Sequence, residues 1–330
     1  MVVYWGRKGG GLQLFEEFVK TADINNLIFK VSRRPTKQKS KSQEEPISTF
    51  DVLGWMMARK KLIQIALSSN SNRVVFVMAS PWDIFLGARL KRKGIEVVRV
   101  IHDATPHPGD FFPSRLWISW LLRDSSRIVV LSRFVGNQLI DIYGVEPSKI
   151  TTTLIPYPRI VSKTREKLDL ECKVLLIGRG KKYQGQDLME KAWPLLKMPN
   201  TQLVIAGQGF KRNRKTKGIT YKIGWLSNGD LLREISSSSV VVLPYTEASQ
   251  SGTIPICTAF GIPVIVTPVG GLPEQVIEGK TGLVIPDLTP EALALGIRKI
   301  LSNNFDVPAL DPEKSQWELV CKSIGINVDK

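Results

Sequence analysis

The sequence predicts an α/β protein with two doubly wound domains, and three features of its pattern support this. Short apolar runs rich in β-branched residues recur without polar–apolar alternation, which is typical of parallel strands buried on both faces. Stretches with helical character separate these runs. The rhythm breaks once, at Ile155–Thr164, where Pro156 and Pro158 stand in a polar segment. The predicted strands are Val74–Val77, Val97–Ile101, Ile128–Leu131, Val174–Ile177, Leu203–Ala206, Val240–Leu243 and Val264–Val266, and the predicted helices include Val52–Leu67, Phe134–Tyr143, Leu188–Leu196 and Pro290–Leu301.

The break predicts an interdomain hinge near residues 156–170. We therefore expect an N-terminal domain at 1–158 and a C-terminal domain at 159–307. A tail at 308–330, with a helical stretch at Glu313–Ile324, is expected to pack back on the first domain. Two domains of this kind face each other across a cleft, and ligands bind at the carboxyl ends of their strands.

The N-terminal region begins with an apolar run, Met1–Trp5, which is too short for the core of a secretory signal and predicts a first buried strand. Gly9-Gly10-Gly11 follows it as a turn that opens a helix. Taken alone, three glycines are only a turn signal. The polar segment Arg33–Glu45 predicts a flexible loop. No apolar run approaches the roughly 18 residues that a membrane helix needs.

The cysteines and histidines limit the chemistry that the chain supports. Cys172, Cys257 and Cys321 are odd in number and widely spaced, which favours reduced, buried thiols and a cytoplasmic location. The two histidines, His102 and His107, form no cluster with metal-ligand spacing. No Asp-x-Asp pair of the kind that chelates a metal diphosphate is present, so we expect neither a metal nor another cofactor.

The charge is strongly basic and uneven, with a formal net charge of +16. Residues 1–160 contain 24 Lys and Arg against 13 Asp and Glu, an excess of 11 positive charges. This predicts an anionic partner for the first half, such as nucleic acid, lipid headgroups or a phosphorylated substrate. A solvated, merely basic surface explains the same excess.

The segment Pro244–Pro286 contains the most informative local chemistry. A strand ends at Pro244, a loop of small polar residues follows, and a helix starts with Pro255 in its first turn. Ser251 or Thr253 is positioned to cap that helix. Free N–H groups and the helix dipole favour a phosphate there. An ordinary capped loop that binds no ligand would have the same sequence pattern.

This segment resembles the donor domain of retaining GT-B glycosyltransferases of family 4. The shared pattern comprises Glu247, Gly261–Ile265, Gly270–Glu274 and Gly279–Gly282 in that order. Further matches extend the resemblance over about residues 95–305. They are Leu176–Arg179 with the following Gln184-Gly185, Leu203–Gly209, His102-Asp103, Val130–Ser132, Tyr143–Val145 and Lys149-Ile150.

Two departures from the family pattern concern donor binding. The family usually places a second Glu eight residues after the first to bind the ribose, but that position is Pro255 here. The family's Lys in the turn after the first strand of the domain is Gln184 here, and Lys181 or Lys182 could supply the missing cation. Together, the loop Gln250–Gly252 and the motif His102–Gly109 resemble a subgroup of the family.

The resemblance implies a role for each matching residue of the donor domain. Arg179, with Lys181 or Lys182, would bind the diphosphate leaving group, next to Gly178 and Gly207. Backbone N–H groups of the loop that precedes the helix would hold the same phosphates. Glu247 would accept hydrogen bonds from the donor sugar, or would act only as an anion near the helix N-terminus. The loop residues are Gln250, Ser251, Gly252 and Thr253.

In the first domain, the resemblance places His102 at a strand end, where it would contact the transferred sugar while Asp103 orients it. A buried histidine with satisfied hydrogen bonds is the alternative interpretation. Gly10 and Gly11 would lie over the donor phosphate and the acceptor. The implied activity is metal-independent, retaining transfer from a UDP- or GDP-sugar to a glycan or lipid-linked acceptor.

The basic half then predicts a peripheral position on the inner face of the membrane. Arg115–Arg123 places Trp117 and Trp120 between arginines, which suits an anionic bilayer surface, although core packing explains the tryptophans equally. Two other functions remain open. One is a non-catalytic relative that binds a nucleotide sugar or scaffolds a partner. The other is a nucleic-acid-binding protein, for which no readout motif is present.

Overall fold

The computed structural model describes the chain at residues 1–7, 28–33, 52–69, 71–78, 80, 83, 85–106, 114–155, 172–213, 217–303, 305, 307 and 321. These residues divide into two compact units, with the boundary after residue 156. Gly10, Gly11, the hinge at 156–170, most of the loop at 33–45 and the tail at 308–330 apart from Cys321 lie outside the described residues.

The first unit contains a six-stranded parallel sheet in the order β2-β1-β3-β4-β5-β6. Adjacent strands of this sheet pair in register, for example Val98 with Arg127 and Ile101 with Val130. The chain runs from β1 to β2 in one direction and then returns to β3 on the other side of β1, which is a doubly wound arrangement. The strands are β1 Val2–Arg7, β2 Ile28–Arg33, β3 Arg73–Phe76, β4 Glu96–Ile101, β5 Arg127–Val130 and β6 Ile150–Thr152.

Helices pack apolar side chains against this sheet. Trp55 and Leu62 of the first described helix are fully buried with Val3 and Phe76 in one cluster. A second cluster joins two later helices to β4 and β5. Ser114 and Ser132 cap those later helices by accepting backbone N–H groups. The helices are α1 Val52–Ser68, α2 Leu86–Lys91, α3 Arg115–Asp124 and α4 Arg133–Tyr143.

The second unit contains another six-stranded parallel sheet, in the order β12-β11-β10-β7-β8-β9. Successive residues of β7 face two different cores, since Val174 belongs to one cluster and Leu175 to the other. Burial on both faces is why these strands read as continuous apolar runs. The strands are β7 Cys172–Ile177, β8 Thr201–Gly207, β9 Ile219–Ile223, β10 Val240–Leu243, β11 Val264–Val266 and β12 Gly282–Val284.

The described part of the second unit contains four α-helices beside this sheet. The last one begins with Thr289 as its cap and Pro290 in its first turn, and it buries Leu293 and Ile297 in the core. After Gly270-Gly271 the chain forms a single 3₁₀ turn at Pro273–Gln275. The helices are α5 Gln186–Leu196, α6 Asn228–Ser236, α7 Thr253–Ala259 and α8 Pro290–Ser302.

The predicted α/β class and the doubly wound sheets are confirmed, and the named strands and helices occur within two residues of their predicted bounds. Among the described residues, no helix combines the length and the apolarity needed to cross a bilayer. The three cysteines carry free thiols, and Cys257 and Cys321 are buried.

Candidate functional site

The candidate site lies where the direction of winding reverses in the second sheet. From β7 the chain continues to β8 on one side, and β10, the other neighbour of β7, continues to β11 on the opposite side. Crevices at the carboxyl ends of such strands are the usual ligand sites of doubly wound sheets. The loops after β7 and β10 are joined directly, because the N–H of Thr246 donates to the carbonyl of Tyr183 at 2.7 Å.

The loop after β7 is held by the buried amide of Gln184. Its Oε1 accepts the backbone N–H of Arg179 at 2.8 Å and that of Lys181 at 3.2 Å. Its Nε2 donates to the hydroxyl of Tyr245, 3.1 Å away in the loop after β10. The side chains of Arg179 and Lys182 are exposed. The backbone of this cationic turn is therefore fixed while its charges face solvent.

Tyr245 carries the connection on to the start of α7. Its phenol is buried, which raises its pKa, and it hydrogen-bonds the side chain of Ser251. The hydroxyl oxygen of Ser251 accepts the N–H of Thr253 at 3.3 Å. A row of neutral hydrogen bonds thus joins the two loops.

Gln275 fixes the same segment from the 3₁₀ turn. Its Oε1 accepts the N–H of Ser251 at 2.7 Å, and its Nε2 donates to the carbonyl of Ser251 at 3.0 Å. Gly252 occupies the cap position of α7, so neither predicted residue stands at the cap, although Ser251 does satisfy the N–H of Thr253. The N–H groups of Ser251 and Thr253 are thus engaged. For the N–H of Gly252, between them, the described residues show no acceptor.

Two glycines permit close backbone contacts beneath these loops. A Cβ on Gly207, which has a φ of +132°, would lie 1.9 Å from the carbonyl oxygen of Gly178. A Cβ on Gly270, which has a φ of +56°, would lie 1.5 Å from the carbonyl oxygen of Ala248. Only glycine fits both positions, so the loops that follow β8 and β11 are packed against the neighbouring ones.

Other predicted donor residues line the loop after β10. Glu247 and Gly252 are exposed, whereas Gln250 and Thr253 are half-buried. Glu247 precedes the first residue of α7 by six positions, which places it outside the first turn, where a capping role would need it. The predicted residues of this domain therefore stand at the ends of three neighbouring strands, β10, β7 and β8, and in the loops that follow them: Gly178, Arg179, Lys181, Lys182, Gly207, Glu247, Gln250, Ser251, Gly252 and Thr253.

His102 and Asp103 lie in the first unit, directly after β4. The Nε2 of His102 is 3.1 Å from the carbonyl oxygen of Val77. Burial lowers the pKa of His102, while the nearby Asp103 and the Val77 carbonyl oppose that shift. The imidazole is therefore neutral at physiological pH, with Nε2–H donating to Val77 and Nδ1 as the acceptor nitrogen.

Sequence reasoning missed the residues that position the others. Gln184 was interpreted only as a replacement for a lysine, and no role was predicted for Tyr245. Gln275 carried no signal, because the residue that it binds is 24 positions away. Among the described residues, no group of three or more His, Cys, Asp or Glu side chains is placed to hold a metal ion.

Comparison with known protein families gives two matches. Residues 171–303 match the family described as "Glycosyl transferases group 1". Residues 33–153 match the family described as "Glycosyltransferase Family 4". The two matches together cover more than three quarters of the chain, and each unit contains one of them.

Curated relatives and solved structures extend the comparison. The chain is 31% identical to an uncharacterized glycosyltransferase of Methanocaldococcus jannaschii over 63% of this chain and 60% of that protein. It is 26% identical to the glycogen synthase of Mycobacterium tuberculosis over 56% of this chain and 48% of that protein. The chain thus covers about half to three fifths of these relatives.

Two solved structures share the fold over nearly the whole chain. A glycosyltransferase from Rickettsia africae has a TM-score of 0.67 at 18% identity, covering 99% of this chain and 94% of that one. Anabaena HepE in complex with UDP-glucose has a TM-score of 0.68 at 14% identity, covering 92% of this chain and 90% of that one. At these identities the likeness establishes the GT-B fold.

Proposed function

We propose that this chain, which belongs to the group 1 glycosyltransferases of the GT-B fold, transfers a sugar from a nucleotide-sugar donor to a glycan or lipid-linked acceptor. The donor would be a UDP- or GDP-sugar, and the transfer would proceed with retention in polysaccharide or glycoconjugate biosynthesis. The observation that carries the proposal is the cationic turn at Arg179, fixed by Gln184 beside the loop that leads into α7.

Departure of a nucleoside diphosphate requires cations where negative charge grows. Arg179 presents a planar guanidinium that can bind two phosphate oxygens together, and Lys182 adds a second exposed charge on the same turn. The turn is already ordered by Gln184, so little reorganisation accompanies the charge development. The N–H of Gly252 would add a neutral donor. We accordingly propose that no metal ion is needed.

The donor sugar would be bound by Glu247, whose exposed carboxylate stands in the loop beside Arg179 and can accept hydroxyl hydrogen bonds. For His102, the proposed role is contact with the transferred sugar. Its neutral imidazole suits hydrogen bonding to a hydroxyl, and Asp103 is proposed to orient it. Both roles come from the family resemblance, and a donor complex would test them.

The nucleobase would bind beside Trp225. This side chain is 72% exposed and stands two residues after the end of β9. The preceding Gly224 donates its N–H to the carbonyl of Gly207 at 3.2 Å, so the backbone next to Trp225 is joined to the end of β8. Stacking of a base on an aromatic side chain is worth about 1–3 kcal/mol. Trp225→Ala should therefore weaken nucleotide binding roughly tenfold.

A thermal-shift screen of UDP-, GDP- and ADP-sugars, followed by measurement of donor hydrolysis, tests the proposal. We expect one nucleotide class to raise the Tm and to be hydrolysed slowly. Arg179→Ala should abolish hydrolysis, whereas Arg298→Ala, which removes an exposed arginine from α8, should retain it. EDTA should leave the rate unchanged.

Stabilisation by a nucleotide sugar without hydrolysis or transfer would favour a second function, a non-catalytic relative that binds the donor or scaffolds a partner. The absence of a second Glu at Pro255 favours that reading. Stabilisation by none of the nucleotides would contradict both functions.

The excess of cations in residues 1–160 supports an anionic membrane surface as a further partner, on the inner face of the membrane.

A further inference from the structure

Phe85 is held in an unusual backbone conformation with its ring in solvent. Its φ is +58°, in the left-handed region, although bulky residues rarely adopt this conformation. The side chain is 60% exposed, so no burial of the ring compensates for the strain. Strained residues of this kind concentrate at functional positions. The aromatic ring of this strained residue is exposed at the start of α2.

Trp120 of α3 meets that ring on the surface. The two ring centroids are 5.4 Å apart, and Trp120 is 46% exposed. Leu116 precedes Trp120 by one helical turn and is 78% exposed. Trp117, in contrast, is buried in the core with Leu121, so only one of the two tryptophans is available for contact. We call Phe85, Leu116 and Trp120 the aromatic face.

Exposed cations stand on both helices that carry the aromatic face. Arg123 follows Trp120 by three residues within α3 and so lies one turn along the same side of that helix, and Arg89 is exposed on α2, the helix that Phe85 caps. Lys91, Arg92 and Lys93 continue the charge, and residues 84–95 contain no carboxylate. Within the described parts of the chain, none of these five cations forms an ion pair with a carboxylate.

We propose that the aromatic face inserts into the headgroup region of a bilayer that contains anionic lipids, with Arg89 and Arg123 on lipid phosphates. Aromatic rings favour the membrane–water interface, and cations close to an anionic surface strengthen binding to it. This deepens the proposed function, on which it rests for a membrane-bound acceptor, by naming the contact surface and its partner.

Charge complementarity favours a bilayer over a second copy of this chain. A two-fold contact through the aromatic face would bring Arg89 and Arg123 of both copies together, and like charges across an interface repel. Lipid phosphates neutralise these arginines directly. The aromatic face is also small, with three exposed side chains, which suits insertion combined with electrostatic attraction rather than a stable protein interface.

Vesicle sedimentation of the full chain tests this assignment. We expect binding to phosphatidylcholine vesicles that contain phosphatidylglycerol and at least tenfold weaker binding to phosphatidylcholine alone. Phe85→Ala with Trp120→Ala should reduce binding at least tenfold, and Arg89→Ala with Arg123→Ala should remove most of its salt dependence. The matched control, Leu295→Ala with Arg298→Ala, removes an exposed leucine and an exposed arginine from α8 and should bind as the unaltered chain does.

The variant Phe85→Gly distinguishes a loss of vesicle binding from a loss of folded stability. Glycine tolerates a φ of +58°, so this variant should unfold at the same or a higher Tm while binding vesicles more weakly. Equal vesicle binding by the aromatic double variant and the unaltered chain would overturn the proposal. Dimerisation in light scattering that depends on the aromatic face would also overturn it.

The nucleotide-sugar thermal shift keeps the two proposals distinguishable. If vesicle binding depends on the aromatic face but no nucleotide stabilises the chain, docking stands and the transferase function falls. If a donor is bound and hydrolysed while vesicle binding is absent or independent of the aromatic face, the function stands and docking is overturned.

Discussion

In both units a polar side chain binds back to the loop that follows a strand, but one side chain is neutral and the other is charged. In the second unit, Gln184 accepts the N–H groups of Arg179 and Lys181. In the first unit, Asp83 accepts the N–H of Ser80 at 3.0 Å and pairs with Arg99 at 3.1 Å, fully buried.

The two side chains differ in the free energy that their burial requires. The Gln184 amide is satisfied by backbone groups and by Tyr245. The Asp83 carboxylate is desolvated, and burial raises its pKa to about 6 despite the charge of Arg99. Arg99 also lies 4.5 Å from the ring centroid of Phe76, and its Nε finds no hydrogen-bond acceptor in the described residues. A buried ion pair of this kind is weak evidence for stability.

The difference matters for the candidate site. A carboxylate at position 184 would lie beside Arg179 and would neutralise part of the charge that a diphosphate needs. The neutral amide orders the turn and leaves the cation for the ligand. In the first unit, the charged pair is fully buried, and no diphosphate is proposed to bind there.

The largest expected effect comes from breaking the second unit's loop at Gly207. Gly207→Ala forces a Cβ against the carbonyl oxygen of Gly178 and imposes strain at a φ of +132°. We expect the free energy of unfolding to fall by about 3 kcal/mol or more, together with loss of nucleotide binding. Gly229→Ala, in the open first turn of α6, is the matched control and should change stability by less than about 1 kcal/mol. Equal Tm values for the two variants would contradict this packing.

The next effect concerns the charged pair of the first unit. Between the ordinary pKa of 3.8 and about 6, folded Asp83 binds a proton that the unfolded chain does not. The contribution of Asp83 to the free energy of unfolding is therefore greatest below 3.8 and is lost as the pH rises through 6, by up to about 3 kcal/mol.

Urea denaturation of the unaltered chain and Asp83→Asn at several pH values from 4 to 7 measures this contribution. The difference in stability between the two proteins should shift in favour of Asp83→Asn as the pH rises through that window. Gln184→Leu should show no such pH dependence. A constant difference for Asp83→Asn would mean that its pKa is close to the ordinary value.

A smaller loss of stability is expected from Gln184→Leu, which removes the neutral amide that holds the loop of the second unit. The variant leaves the N–H groups of Arg179 and Lys181 without their acceptor, at a cost of about 2 kcal/mol. Donor binding should weaken because the turn is no longer fixed. Gln64→Leu, at an exposed position of α1, controls for the added apolar group. Unchanged nucleotide affinity would show that the Gln184 contacts do not position Arg179.

Much of the fold was readable from local chemistry. The central strands have two apolar faces, and the capped helices have serine or threonine starts, so both are encoded within short windows. The strands β2, β6, β9 and β12 were missed, because they are short or lie at sheet edges. β9, for example, alternates half-buried and exposed residues along most of its length.

Candidate site residues could be named from the sequence only where they stand in local motifs. Arg179 and the loop at Gln250–Thr253 stand in recognisable turns, but Gln184 acts through Tyr245, 61 residues away. Likewise, charge predicted a basic surface, yet only the helix geometry separates buried Trp117 from exposed Trp120, since the two differ by three positions.

The most direct test of the central claim, that Arg179 binds the donor diphosphate, is calorimetric titration with UDP and UMP, or with GDP and GMP if guanine is preferred. The unaltered chain should bind the diphosphate at least tenfold more tightly than the monophosphate, since a charge-assisted hydrogen bond contributes about 1.5–3 kcal/mol. Arg179→Ala should remove that preference while Arg298→Ala retains it. An undiminished preference for the diphosphate in Arg179→Ala would contradict the account.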